Sequence, residues 1–227
     1  MAPPKITGII FDLDGTLVNS KIDFPKMKRR MIAILESNGV PEGLLTPNET
    51  NVVILEKAER AWDEGAKPES ERSEVRALLE EAMNQGELEA LPSMREVPGA
   101  SEAIHELRRR GYRLGVLTRS HHAYAVEALR KMGVEGEFDA ILGRGETPRP
   151  KPYPEALQHA SKLMGLPLEE ILFVGDHHID STSAANADCA FVGVRTGPRG
   201  EMSWEENRPE VLLNSVADLP GYLEGSR

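Results

Sequence analysis

The sequence predicts an α/β protein built on a parallel sheet, with an all-helical segment inserted after its first strand. Three observations carry this reading. From Val97 onward, short apolar runs alternate with helical stretches, the rhythm of a parallel sheet covered by helices on both faces. Between Val18 and Glu96 the texture differs: Glu, Lys, Arg, Ala, Leu and Met recur at helical spacing and no strand pattern appears. Ahead of that segment, residues 6–11 form a short continuous apolar run, the mark of a buried central strand. The predicted division is residues 1–17 with 97–227 as the sheet core, and 18–96 as the helical insert.

Each element has its own signal. Met27, Met31, Ile34 and Leu35 make one apolar stripe, and Gly39-Val40-Pro41 stops that helix. Thr46 and Asn48 are candidate caps for a second helix through Val52, Leu55, Ala58, Glu59 and Trp62, with Gly65 and Pro68 as punctuation. A third helix is predicted over 69–84. Pro98-Gly99 opens a helix through Ala103, Ile104 and Leu107 that ends at Gly111. Residues 112–117 read as a strand, 122–132 as a helix stopped by Gly133, and 138–142 as a short strand. Next come a helix over 154–164 closed by Gly165, a strand over 171–174 and a helix through Ala184 and Ala185. Residues 190–194 are the last clear strand, and 211–223 hold one more short strand and a turn of helix. The loop 196–209 is polar, with Trp204 unaccounted for.

Composition narrows the function classes. The 227 residues suit one large domain or a core with a smaller insert. The 27 basic residues against 37 acidic leave a formal charge of -10, which argues against a broad nucleic-acid face. Arg108-Arg109-Arg110 reads as the solvated end of a helix, where cations suit the dipole. No apolar run approaches the roughly 18 residues needed to span a bilayer. Met1-Ala2-Pro3-Pro4-Lys5 leads straight into a strand, so no signal peptide is expected. The single Cys189 reads as a small core residue, in keeping with a reducing cytoplasm. Oligomeric state stays open at this level.

The chemistry starts at Phe11-Asp12-Leu13-Asp14-Gly15-Thr16-Leu17. Strand side chains alternate with period two, so Asp12 and Asp14 point the same way. Two carboxylates about 4 Å apart repel by about 4 kcal/mol at an effective dielectric near 20. A bound divalent cation is the simplest compensation, while a capped Asp-Gly turn is the plainer alternative. Gly15 allows a sharp turn, and Thr16 adds a hydroxyl. Three more polar clusters fall near predicted strand ends: Thr118 with Arg119 and Ser120; Lys151 in Arg149-Pro150-Lys151-Pro152; and Asp176 with Asp180 in Gly175-Asp176-His177-His178-Ile179-Asp180. Parallel sheets bind ligands beyond those ends. Carboxylates, a hydroxyl donor and a cation together suit work on a phosphate ester.

The order of these boxes resembles the haloacid dehalogenase superfamily, in its phosphatase branch, near the phosphoglycolate phosphatase and β-phosphoglucomutase group. The resemblance covers nearly the whole chain. It implies a Rossmann-like core interrupted by a helical cap that closes over substrate. It further implies a Mg²⁺-dependent phosphatase acting on a small phosphorylated metabolite. Asp12 would be the nucleophile and Asp14 the general acid, then base. Mg²⁺ would sit between the Asp12 side chain, the Asp14 backbone carbonyl and Asp176. Thr118 and Lys151 would bind the phosphoryl group, with Thr16 and Asp180 supporting from behind. Arg119 stands where the family often has a small polar residue; it either grips a substrate anion or points to solvent. His177 and His178 fill variable positions, and an oxygen-rich site favours Mg²⁺ over a histidine-bound cation. Arg60, Trp62, Arg72 and Arg76 either contact substrate or pack the insert. Two rival functions share the same boxes: a sugar phosphomutase, and a binding protein without turnover.

Overall fold

The structure, a computed structural model, describes residues 5–49, 51–204 and 208–225. Residues 1–4, on which the expectation of no leader rests, and 205–207 of the polar loop lie outside the described residues. The chain divides into two compact units, Met1–Ser20 with Ser93–Arg227, and Lys21–Pro92.

The first unit is a Rossmann-like α/β core. Its six-stranded sheet is built from β1 (Gly8–Phe11), β4 (Arg113–Leu117), β5 (Ala140–Leu142), β6 (Ile171–Gly175), β7 (Ala190–Val194) and β8 (Leu212–Leu213). The strands run in the order β5-β4-β1-β6-β7-β8, every pair parallel. Parallel neighbours need crossover helices. These are α4 (Ala100–Arg109), α5 (His122–Met132), α6 (Pro154–Met164) and α7 (His178–Ala187), with α8 (Leu219–Gly225) at the end. Ile10, Leu117, Leu142 and Phe173 pack against Leu157, Ala160 and Met164 of α6 and Ala184 and Ala187 of α7. Ile9 and Phe11 point to the other face and are equally buried, so both faces of β1 are covered. Each fully buried aliphatic or aromatic side chain contributes about 1.5–3 kcal/mol. That explains why β1 reads as an unbroken apolar run.

Helix limits follow their punctuation. α5 and α6 end at Gly133 (φ 77°) and Gly165 (φ 65°), each in the left-handed conformation. Trp204 is buried, its ring 6.0 Å from that of Phe191, so it anchors its loop against β7.

The second unit packs three helices: α1 (Phe24–Glu36), α2 (Asn51–Glu64) and α3 (Glu69–Leu88). Asp23 caps α1 by accepting from the Lys26 N–H at 2.9 Å. Met27, Met31, Leu35, Ile54, Ala58, Trp62, Leu79 and Met83 form its core. α3 runs four residues beyond the expected end at 84 and carries Gly86 within it, where a Cβ would lie 3.0 Å from the Met27 side chain, so packing against α1 outweighs the poor helix propensity of glycine. Thr46 and Asn48 are not the caps of α2, which begins at Asn51; Thr46 Oγ1 instead accepts from the Asn48 N–H inside the preceding turn. Arg72 and Arg76 reach Glu59, Asp63 and Glu69, and Trp62 Nε1 donates to the Asn38 carbonyl. These side chains are engaged in the unit's own packing.

One element was invisible in the sequence. β2 (Val18–Asn19) and β3 (Arg95–Glu96) pair antiparallel, at the two ends of a segment expected to hold no strand. Two residues are too short to carry a period, and their partner lies far away in the chain.

Among the described residues, no helix is long and apolar enough to cross a membrane. Asp139 shows how the core secures its edge. It accepts from the Leu114 N–H at 3.0 Å, from Arg108 at 2.8 Å and from Arg113 at 3.3 Å. Burial pushes its carboxyl up, but those donors outweigh it and hold the group below the usual range. Asp139→Asn is expected to lower stability by about 1–3 kcal/mol in urea unfolding. The carboxylate's contribution is complete above the unfolded value near ~3.9 and is lost as pH falls through the lowered folded value. The difference between parent and variant should therefore shrink below about pH 4.

Candidate active site

Parallel strands direct their carboxyl ends to one edge, so the loops after β1, β4, β5 and β6 gather there. The registers are level: Phe11 is opposite Val116 on one side and Val174 on the other. Asp12 follows β1, Thr118 follows β4, and Asp176 follows β6. Lys151 arrives from the loop between β5 and α6, and Asp180 from the first turn of α7.

The strand argument for Asp12 and Asp14 needs correction. β1 stops at Phe11, so alternation does not govern the pair. Asp12 still donates its N–H to the Val174 carbonyl at 2.8 Å, and the chain then turns through Gly15 (φ 86°). The two carboxylates take different partners. Asp12 Oδ1 accepts from Lys151 Nζ at 2.6 Å. Asp14 accepts from Ser120 Oγ at 2.8 Å and from the Tyr124 hydroxyl at 2.9 Å.

Asp12, Asp176 and Asp180 are all buried, and each offers an oxygen within 4.8 Å of the others. Lys151 is 4% exposed and bridges Asp12 to Asp180, whose Oδ1 lies 2.7 Å from Nζ. Burial pulls its ammonium down in pKa, but Asp12 and Asp180 outweigh that and hold it well above the usual lysine range. The acids are shifted the other way. Burial lifts Asp12 to about 7, Lys151 opposes, and Asp180 and Asp14 add to the rise. Burial and the charges of Asp12 and Asp180 lift Asp176 to about 9. Three buried acids facing one ammonium are short of positive charge. A divalent cation would supply it and favour the ionised form of the carboxyl groups. The donors are oxygens only, which suits a hard cation. The residues present therefore fit a divalent metal.

The remaining expected residues fall as follows. Thr118 is buried, and its Oγ1 accepts from the Ser120 N–H at 3.1 Å, leaving the hydroxyl hydrogen to be donated. Thr16 is buried with Oγ1 3.4 Å from Asp176 Oδ1, a long contact. Asp180 also accepts from the His177 N–H at 3.2 Å. Arg119 is exposed, and its carbonyl accepts from Arg144. His177 is the N-cap of α7, its Nδ1 accepting from the Ile179 N–H at 3.3 Å, so its ring serves the helix end.

Three neighbours escaped the sequence reading, and a fourth, Ser120, entered it only as part of the Thr118 cluster. Ser120 and Tyr124 hold Asp14. Thr196 donates to the Gly15 carbonyl at 2.6 Å, and Gly197 lies against Asp176. Ser120 stands three residues past the end of β4, which is a usable signal. Tyr124 and Gly197 carry none, since nothing local marks a distant carboxylate.

This fold and site can be set beside known proteins. The family model described as haloacid dehalogenase-like hydrolase matches residues 9–194, and the chain belongs to that family. With that membership and a buried aspartate cluster, it is a phosphatase-type enzyme of that class. It is 30% identical over 213 residues to a phosphoglycolate phosphatase of Mannheimia succiniciproducens, covering 92% of this chain and 94% of that one. It is 26% identical over 215 residues to the pyrophosphatase PpaX of Listeria monocytogenes, covering 95% of each. The crystal structure of a predicted phosphoglycolate phosphatase from Haemophilus somnus 129pt superposes with a TM-score of 0.64 at 25% identity, covering 98% of each chain.

The close approach of Gly197 yields a test. A Cβ there would lie 1.9 Å from Asp176 Oδ2, so alanine must push that carboxylate aside. Gly197→Ala is expected to weaken divalent-cation binding by about tenfold or more in isothermal titration calorimetry, with little change in melting temperature.

Proposed function

We propose that the protein hydrolyses a small phosphorylated metabolite, phosphoglycolate-like or a sugar phosphate, through an aspartyl-phosphate on Asp12, with Mg²⁺ as its metal. The observation that carries this reading is the buried Asp12 carboxylate, 2.6 Å from Lys151 Nζ and grouped with Asp176 and Asp180. Support also comes from near full-length similarity to enzymes named for phosphoglycolate and pyrophosphate hydrolysis. A cytoplasmic setting fits such a substrate and the single, buried thiol of Cys189.

Asp12 and Asp176 would hold Mg²⁺ together with the Asp14 backbone carbonyl. When bound, the cation would offset the charge that keeps an anionic nucleophile from a phosphate dianion. Lys151 keeps Asp12 oriented and adds positive charge beside it. Thr118 donates its free hydroxyl hydrogen to a phosphoryl oxygen, and Arg119 lies at the same edge for a substrate anion. Asp180 holds Lys151, and Thr16 backs Asp176.

In the first step an Asp12 oxygen bonds to phosphorus as the bond from phosphorus to the leaving oxygen breaks. Asp14 gives its proton to that oxygen, releasing an alcohol. In the second step a water oxygen bonds to phosphorus and one water proton returns to Asp14. The phosphorus–Asp12 bond breaks, yielding inorganic phosphate and the starting carboxylate.

The test is phosphate release across a panel of phosphorylated metabolites with Mg²⁺. Turnover of at least one small ester is expected; preference for a phosphoprotein over every small ester would overturn the reading. Asp12→Asn should bring release to background while its melting curve keeps the parent's cooperativity, and substantial residual turnover would remove Asp12 as nucleophile. A chelator should stop turnover and added Mg²⁺ restore it; rates unaffected by chelator would refute the metal.

A further inference from the structure

Two hydroxyls meet at Asp14 from more than a hundred residues away. Ser120 Oγ donates to Oδ2 at 2.8 Å, and the Tyr124 hydroxyl donates to Oδ1 at 2.9 Å. Both donors sit on backbone that is itself secured. Ser120 donates its N–H to Thr118 Oγ1, and its carbonyl accepts from the Arg144 N–H at 2.8 Å. Gly143 allows this approach: a Cβ there would lie 2.9 Å from the Ser120 carbonyl and 2.4 Å from the His122 nitrogen. Tyr124 stands in the first turn of α5 and is 0% exposed, so its ring fixes where the hydroxyl points.

A half-buried aspartate in a turn would otherwise swing about two side-chain torsions. Bonds to both oxygens remove that freedom and set the plane of the carboxyl group. Each oxygen keeps a second position, so the group can carry or release a proton while both hydroxyls hold it. Both hydroxyls donate to Asp14, the carboxylate outside the Asp12, Asp176 and Asp180 cluster.

We propose that Ser120 and Tyr124 are positioning residues that hold the Asp14 carboxyl in the orientation from which it delivers a proton to the leaving oxygen. The proposal rests on the reading of Asp14 as proton donor. Its consequence is specific. Proton delivery matters most for a poor leaving group, such as an alkoxide, and least for a good one. Loss of aim should therefore cost alkyl phosphates far more than p-nitrophenyl phosphate. A hydroxyl that merely braces the loop would affect every substrate by one factor.

The experiment measures kcat/KM for a series running from p-nitrophenyl phosphate through phenyl phosphate to alkyl phosphates. The ratio reports the steps up to loss of the leaving group, so slow dephosphorylation does not mask it. Tyr124→Phe and Ser120→Ala each delete one hydroxyl; both are compared with the parent and with Asp14→Asn. Tyr124→Phe keeps the buried ring, and Ser120→Ala gives an independent reading at a less buried position. Expected is a steeper dependence on the leaving group in both hydroxyl variants, with a fall of about tenfold for an alkyl phosphate and under about twofold for p-nitrophenyl phosphate. Asp14→Asn should be steepest. If the hydroxyl variants keep the parent's slope while Asp14→Asn steepens, the positioning role is overturned and Asp14 stands. If Asp14→Asn also keeps the parent's slope, the proton-donor assignment falls, and the positioning role with it.

Discussion

Lys151 places a single ammonium between two carboxylates, 2.6 Å from Asp12 and 2.7 Å from Asp180, almost wholly out of water. Each buried ion costs several kcal/mol before it finds a partner. The three groups come from the end of β1, the loop after β5 and the first turn of α7. Their mutual compensation therefore pins three separate segments at one edge of the sheet. With Asp176 added, acids outnumber the ammonium three to one, and the excess is what equips this edge for a cation.

The same crowding dictates small residues around the acids. At Gly15 the chain turns with φ 86°, and a Cβ would fall 2.4 Å from Asp176 Oδ2. Glycine is required there for both conformation and space. Thr196 and Gly197 approach from the loop after β7, where Thr196 fastens the Gly15 carbonyl. Asp176 is thus enclosed by backbone on two sides, which limits where its carboxylate can point. The helical unit is stabilised differently, by a Met-rich core and a surface network joining Arg72 and Arg76 to Glu59, Asp63 and Glu69.

Much of the core fold was legible because its signals are local. Residues 122–132, 154–164 and 190–194 form the expected elements at the expected limits, the two helices stopped by Gly133 and Gly165 in the left-handed conformation. The pair β2 and β3 was not legible, because two-residue strands exist only through each other. The start of α2 was missed because Thr46 and Asn48, good caps by type, satisfy a turn instead. At the site, Asp12, Thr118 and Asp176 stand out as polar groups at strand ends, and Lys151 as a cation just before a helix. Tyr124 does not, because a tyrosine in the first turn of a helix looks like any core aromatic until its hydroxyl is seen on Asp14.

The sequence by itself determined the alternation of strands and helices, the helical insert and the polar residues that close the apolar runs. These follow from periodicity and from backbone rules acting over a few residues. Only the tertiary structure decided which of those polar groups share a charge. Strand order brought β6 beside β1 and carried Lys151 across to them, and so joined Asp12 to Lys151 while turning Asp14 toward Ser120 and Tyr124. The physical reason is range: steric preferences act between neighbours in the chain, whereas compensation of buried charge depends on neighbours in space.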